Sequence, residues 1–368
     1  MKISRISVWA VDLPFKEPYR YSGGRLLVES LDSTFVRIET DGGLIGWGEG
    51  CPWGHSYLPA HGPGIRAAFE TIAPNILGHD PTAIDALNHC MDEVLPGHWA
   101  AKSAIDIACW DILGQAAGLP IWKLLGGAEA DPVPVNSSIS TGTPDEMLAK
   151  INRAAAKGYR THSAKVGGTD IAADIERIDA ISAGLPGGHK VTFDVNRAWL
   201  PGVAKQVMMS VSSRDWFEQP CETLVECAEI AQIVPQPIML DECVHTFGDH
   251  LEAMKLRACQ GVKVKPNRSG GLSRCRRIRD LGVELGWQMH VEDLGGSSLA
   301  DTAAIHLAAS TPKANRLASW LCQEHLTDHP CLGRGVTNEN GFATPPSVPG
   351  LGCAPDLEKL GDAAAIYQ

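Results

Sequence analysis

Five residues suggest chemistry by type and spacing. Asp194 lies in KVTFDVN, Glu218 in RDWFEQP and Asp241 in PIMLDE, while Lys165 lies in GYRTHSAKV and Lys265 in GVKVKP. From Lys165 to Lys265 the successive intervals are 29, 24, 23 and 24 residues. Three carboxylates brought together repel and raise one another's pKa unless a cation neutralises them. An oxygen-only ligand set suits Mg²⁺, which keeps positions open for water and substrate. No histidine-rich set accompanies these acids, which argues against zinc. Lysine is almost never fully buried without a partner, so two lysines in strand-like runs need a reason. A desolvated lysine near other positive charge has a lowered pKa and serves as a general base near neutral pH. A substrate carboxylate on the metal would have its α-proton acidified. One lysine then takes that proton, and the other returns it on the opposite face or assists a leaving group. Lys263, one layer deeper in the same run, reads as a structural ion-pair partner of the same acids.

The intervals match one βα unit, and they imply what positions the five. Eight β-branched or apolar runs fall at 133–139, 158–166, 190–196, 214–220, 237–242, 261–266, 287–293 and 317–321. Amphipathic helical patterns separate them, for example at 144–158 and 271–286. That alternation is the pattern of a (β/α)₈ barrel, whose chemistry gathers at the C-terminal ends of its strands. Residues 1–127 read differently. Alternating strands at 2–13 and 33–49 enclose the turn Asp41-Gly42-Gly43, and helical patterns follow at 64–77, 81–95 and 101–118. The expected organisation is an α+β capping domain at 1–127, a barrel carrying the active site at 128–345, and a segment at 346–368 that returns to the cap. The fold class expected is α/β, a modified TIM barrel with an α+β N-terminal cap completed by the C-terminus.

The 368 residues carry a formal charge of −11, which argues against nucleic acid as a partner, because phosphate binding needs a basic face. Eleven cysteines, none in a C-x-x-C pair, read as reduced thiols. Cys51, Cys109, Cys221 and Cys243 are expected to be small buried apolar groups. No segment reaches about 18 consecutive apolar residues. MKISRISVWAVDLPF alternates like a strand rather than a signal peptide, so a cytoplasmic protein with no membrane partner is expected.

In order and spacing the motifs resemble the enolase superfamily, in its muconate-lactonizing and mandelate-racemase branch. The resemblance is carried by DGGLIGWGE (41–49), AKSAIDIACWD (101–111), Ser163-Ala164-Lys165, Asp194-Val195-Asn196, Glu218-Gln219-Pro220, Asp241-Glu242 and Lys265 with Gly270-Gly271. It implies that Asp194, Glu218 and Asp241 hold Mg²⁺ and that Lys165 and Lys265 are the acid/base pair. The lysine pair resembles the muconate-lactonizing subgroup. The mandelate-racemase subgroup would put a histidine after the seventh strand, which here ends His290-Val291-Glu292-Asp293. Many relatives carry lysine two residues before the catalytic one, where this chain has Ser163. Its hydroxyl is expected to bond substrate. In this superfamily the cap sets specificity, which directs attention to the loops at 18–30 and 51–64. Tyr57 and Trp320 match aromatic positions in relatives acting on proline betaines. With Asp293 they would suit a cationic ring nitrogen, and Asn196 joins them as a substrate-binding candidate. The activity implied is removal of the α-proton from a small proline derivative. Either loss of a 3-hydroxyl or reprotonation to the epimer follows, and assembly into homo-oligomers is expected.

Overall fold

A computed structural model describes residues 1–127, 130–168 and 170–368. The expected boundary between 127 and 128 falls at residues outside those described. The chain begins with a long antiparallel hairpin, β1 (Ile3–Tyr21) and β2 (Leu26–Thr40), to which β3 (Ile45–Gly50) adds through the turn at Asp41-Gly42-Gly43. The segment 18–30 is therefore mostly strand rather than loop. Pro14, Pro18 and the charged residues between them break the alternation that would have revealed it. The pairing register shifts there, between Pro14 and Tyr19.

Three helices pack on this sheet: α1 (Gly62–Ile76), α2 (Ile84–Val94) and α3 (Trp99–Ala117). The alternating glycines of β3 explain how close α3 comes. A Cβ on Gly48 would lie 1.8 Å from the carbonyl oxygen of Ala104, and one on Gly46 would lie 2.1 Å from that of Ala108. Ala100, Ala104 and Ala108 recur every turn of α3, so small residues on both sides bring the backbones together. Helix α3 is buried almost all round, because the barrel covers its other side.

Eight parallel strands form the second sheet: β4 (Asn136–Ile139), β5 (Thr161–Lys165), β6 (Lys190–Asp194), β7 (Trp216–Glu218), β8 (Ile238–Leu240), β9 (Gly261–Val264), β10 (Gln288–Val291) and β11 (Arg316–Ala318). Each pairs with its neighbours in sequence. The ring closes through a parallel bridge between Val135 and Ser319, with Asn136 N donating to Ser319 O at 2.8 Å. Seven connecting helices cover it: α4 (Pro144–Ala156), α5 (Ile171–Gly184), α6 (Pro201–Ser210), α7 (Leu224–Ala231), α8 (Phe247–Leu256), α9 (Leu272–Glu284) and α10 (Ser298–Ala309). Helices α4, α7 and α8 start with reciprocal capping boxes at Thr143, Thr223 and Thr246. After β11 the chain makes a 3₁₀ turn at Cys322–His325 and runs back to the cap, where β12 (Ala365–Tyr367) pairs antiparallel with β1. Among the described residues no helix is long and apolar enough to cross a membrane.

Cap and barrel are fastened by buried carboxylates. Glu49 on β3 accepts from Ser297 N at 3.0 Å, from Ser297 Oγ at 2.6 Å and from Ala300 N at 3.2 Å, the N-terminus of barrel helix α10. Asp106 on α3 accepts from Ser273 N at 3.0 Å, at the start of α9. Asp111 accepts from Trp47 N at 3.0 Å and from Leu351 N at 2.8 Å, tying α3 to β3 and to the returning segment. Glu49, Asp106 and Asp111 are thus structural: they satisfy buried N–H groups at two helix starts, in β3 and in the returning segment.

Candidate active site

The strand register brings the five residues to one mouth. Lys165, Asp194 and Glu218 pair side by side at the ends of β5, β6 and β7. Asp241 follows β8, and Lys265 follows β9. All but Asp241 line one cavity of about 470 Å³, counting its open mouth, together with Ser163, Asn196, Lys263 and Glu292. Asp241 stands against it through Lys265, whose Nζ is 2.7 Å from Asp241 Oδ2. Lys165 Nζ hydrogen-bonds Asp194 Oδ2 on the other side. The two lysines therefore flank the carboxylates.

The cap supplies the roof. Tyr57 Oη donates to Asp241 Oδ2 at 2.7 Å, and its ring lies 5.7 Å from Lys265 Nζ. Trp53 packs edge-on against Tyr19 at 5.4 Å and meets Trp320 at 5.7 Å between ring centroids. Tyr21 completes this aromatic wall, and Tyr19 hydrogen-bonds Ser138 of β4.

Residues 6–126 match the family model described as the mandelate racemase / muconate lactonizing enzyme N-terminal domain, and residues 146–360 match the enolase C-terminal domain-like model. The chain belongs to the enolase superfamily. This superfamily member is 39% identical to a cis-3-hydroxy-L-proline dehydratase of Roseibium aggregatum, with 100% of each chain covered. It is 29% identical to an N-succinyl-L-Arg/Lys racemase of Bacillus cereus over 84% of this chain and 85% of that one. A superfamily member of Roseovarius nubinhibens, solved as a magnesium complex, superposes with a TM-score of 0.97 at 64% identity, covering 100% of this chain and 99% of that one.

The superfamily member's site is strongly charged, and its ionisable groups are largely buried. Burial and the neighbouring Asp194 push the Glu218 carboxyl well above its usual range. Burial acts upward on Asp241 too, but Lys265 and Arg268 outweigh it and hold this carboxyl well below its usual range. Burial lowers Lys165, yet the charges of Asp194, Tyr19 and Glu218 overcome it and hold the ammonium well above its ordinary value. That direction is opposite to the one expected of a base. Its cause is negative charge on the carboxylates, and a divalent cation among them would remove that cause.

Donor chemistry fits such a cation. The three acids offer oxygen only, and Glu218 Oε2 is buried without a hydrogen bond, its nearest cation being Lys263 Nζ at 3.3 Å. Among the described residues, no three metal-binding side chains already stand gathered around one point. Each acid instead leans on a lysine or arginine.

The remaining expected residues divide. Ser163 and Trp320 line the cavity. Asn196 lines it too, but its Nδ2 donates to Glu242 Oε1 at 3.0 Å, leaving only Oδ1 unpartnered. Asp293 lines it as well, with its oxygens already accepting from Asn267 N at 3.0 Å, Asn267 Nδ2 at 2.8 Å and Leu294 N at 2.8 Å. Burial pushes its pKa up to about 7. Lys263 bridges Glu218 and Glu292, at 3.3 and 3.0 Å, as its structural reading expects. All the cysteines are free, with Cys51, Cys109 and Cys221 buried and Cys243 half-buried.

Sequence reasoning missed Arg268, fully buried and bonded to Asp241 Oδ1, and Glu292, whose Oε1 lies 3.8 Å from Lys265 Nζ. It also missed Tyr19, Tyr21, Trp53 and Ser138. A signal for Arg268 existed: it lies three residues past Lys265, one turn along a short helix at Pro266–Ser269, so both can reach the same acid.

Proposed function

We propose that this chain is a Mg²⁺-dependent hydro-lyase that removes the C2 proton and the 3-hydroxyl of cis-3-hydroxy-L-proline, with epimerisation at C2 as a side reaction. The observation that carries the reading is the pair of lysines flanking Asp194, Glu218 and Asp241 at one barrel mouth, beneath a roof of aromatic rings. Full-length similarity to a protein named for that dehydration supports it. Asp194, Glu218 and Asp241 would hold the cation, which polarises the substrate carboxylate and acidifies C2. Lys165 and Lys265 are the proton carriers. One takes the C2 proton, the C2–H electrons form a C2=C3 bond, and the C3–O bond breaks. The hydroxyl leaves as water with a proton from the site, and the enamine tautomerises to Δ1-pyrroline-2-carboxylate. Return of a proton to C2 by the opposite lysine gives the epimer instead. Ser163 offers a hydroxyl to the substrate, and the aromatic roof keeps bulk water out. On this reading residues 1–127 are the specificity cap, 128–345 the catalytic barrel and 346–368 the segment that completes the cap.

A second reading is an epimerase of a proline betaine or a dipeptide. It is favoured by the wall of Tyr19, Tyr21, Trp53, Tyr57 and Trp320, since ring faces attract a quaternary nitrogen. Proton NMR of enzyme, Mg²⁺ and proline derivatives in D₂O separates the two. Loss of the C2 proton signal with new Δ1-pyrroline-2-carboxylate from cis-3-hydroxy-L-proline is the expected result. C2 deuteration without water loss would establish the epimerase. Silence across the panel would sink the dehydratase and betaine readings and return the substrate to unknown.

A further inference from the structure

Two and three residues past Asp194 stand two non-glycine residues in left-handed backbone, Asn196 at φ 46° and Arg197 at φ 63°. Such conformations persist only where the surroundings over-determine them, and they cluster at functional sites. Here the backbone is pinned on both sides. Asn196 N donates to Asp194 Oδ1 at 3.0 Å, and Arg197 N donates to Gln219 O at 2.9 Å.

From this fixed point the two residues reach both capping loops. The carbonyl of Asn196 accepts from Ser22 Oγ at 3.1 Å, in the turn between β1 and β2. The next residue of that turn, Gly23, donates its N–H to Val166 O at 3.1 Å. A Cβ on Gly23 would lie 2.0 Å from Gly167 O, so only glycine permits this docking. On the other side Arg197 Nη2 donates to Tyr57 O at 2.9 Å, and its guanidinium lies 5.7 Å from the Tyr57 ring centroid. Glu222 at 3.2 Å and Glu242 at 3.8 Å hold the same guanidinium in place. Arg197 does not line the cavity. It acts through Tyr57, whose hydroxyl bonds Asp241.

We propose that Asn196–Arg197 is a clasp that holds both capping loops closed over the cavity. Arg197 is then the positioning residue that sets Tyr57 against Asp241 and Lys265. The two strained residues convert the end of strand β6, which also carries Asp194, into a common anchor for two separate cap segments. The clasp is independent of which carboxylate compound is turned over.

Hydrogen–deuterium exchange of the full chain without substrate tests it, comparing wild type with Arg197→Met, which keeps the apolar stem. One charge-assisted hydrogen bond corresponds to about tenfold in an opening equilibrium. The expected result is therefore about tenfold faster exchange in a peptide covering 51–61, and faster chymotrypsin cleavage after Trp53 and Tyr57. Arg197→Lys, which keeps a donor for the Tyr57 carbonyl, should recover part of the protection. On whichever substrate the enzyme turns over, Arg197→Met should raise KM more than it lowers kcat. Unchanged exchange at 51–61 in a folded variant would overturn the clasp. Should Arg197→Met fail to fold, Ser22→Ala tests the other arm: faster exchange at 18–27 alone is expected, and no change there would overturn the proposal.

Discussion

Lys265 Nζ lies 2.7 Å from Asp241 Oδ2, while Arg268 holds the other oxygen of the same carboxylate. Lys165 makes the matching contact with Asp194 on the opposite side. General acid–base groups contribute about 10²–10⁴-fold to rate. Lys165→Ala and Lys265→Ala should each lower kcat by about that factor in protein that still folds. Full activity in either variant, measured by the NMR assay, would remove that lysine from the chemistry.

Metal dependence follows from the three acids. Chelation with EDTA should abolish turnover, and added Mg²⁺ should restore it. Binding to the native state alone stabilises by about 2.7 kcal/mol at a concentration of 100 times Kd. Saturating Mg²⁺ should therefore raise the melting temperature of wild type, and the rise should shrink in Asp241→Asn. A calorimetric titration of Asp241→Asn indistinguishable from wild type would take Asp241 out of the ligand set.

The structural acids make a separate prediction. Asp106 accepts from Ser273 N at 3.0 Å and from Asn88 Nδ2 at 2.7 Å, and is fully buried. Asp106→Ala would leave those donors unpaired inside the protein, at a cost of about 1–3 kcal/mol for each stranded group. Urea unfolding should show a loss of that order. A midpoint unchanged from wild type would mean that the α3–α9 contact contributes nothing.

Buried histidines set the acid limb of stability. Burial lowers His162, His250 and His306 to about 4 each. In the unfolded chain they titrate near 6.5, so between about 6.5 and 4 the unfolded state binds more protons. Stability held above pH 6.5 should therefore be lost progressively as pH falls towards 4, before most carboxylates protonate. A melting temperature flat from pH 7 to 4.5 would show that these imidazoles do not stay neutral.

Local pattern made much of this protein legible. Asp194, Glu218 and Asp241 stand one βα unit apart, so periodicity alone carried them to one barrel mouth with Lys165 and Lys265. The alternating glycines of 46–50 and the alanines of α3 were visible as motifs, but their purpose was not. Only the tertiary structure shows that they let two backbones touch and that Glu49, Asp106 and Asp111 satisfy buried N–H groups. The strand from 14 to 21 was hidden because its partner is β2, across a turn whose left-handed residues carry no periodic signal.

What the sequence determined by itself is the set of candidate reacting groups and their order around the ring, because both follow from residue type and from the length of one repeating unit. What only the tertiary structure decided is which partners each of these groups meets. Asp293 spends its oxygens on Asn267, Lys263 is consumed between two acids, and Arg268 is drawn into the site from the following turn. Hydrogen bonds and ion pairs between residues far apart in sequence leave no spacing to read, and burial makes each such contact too costly to leave unmade.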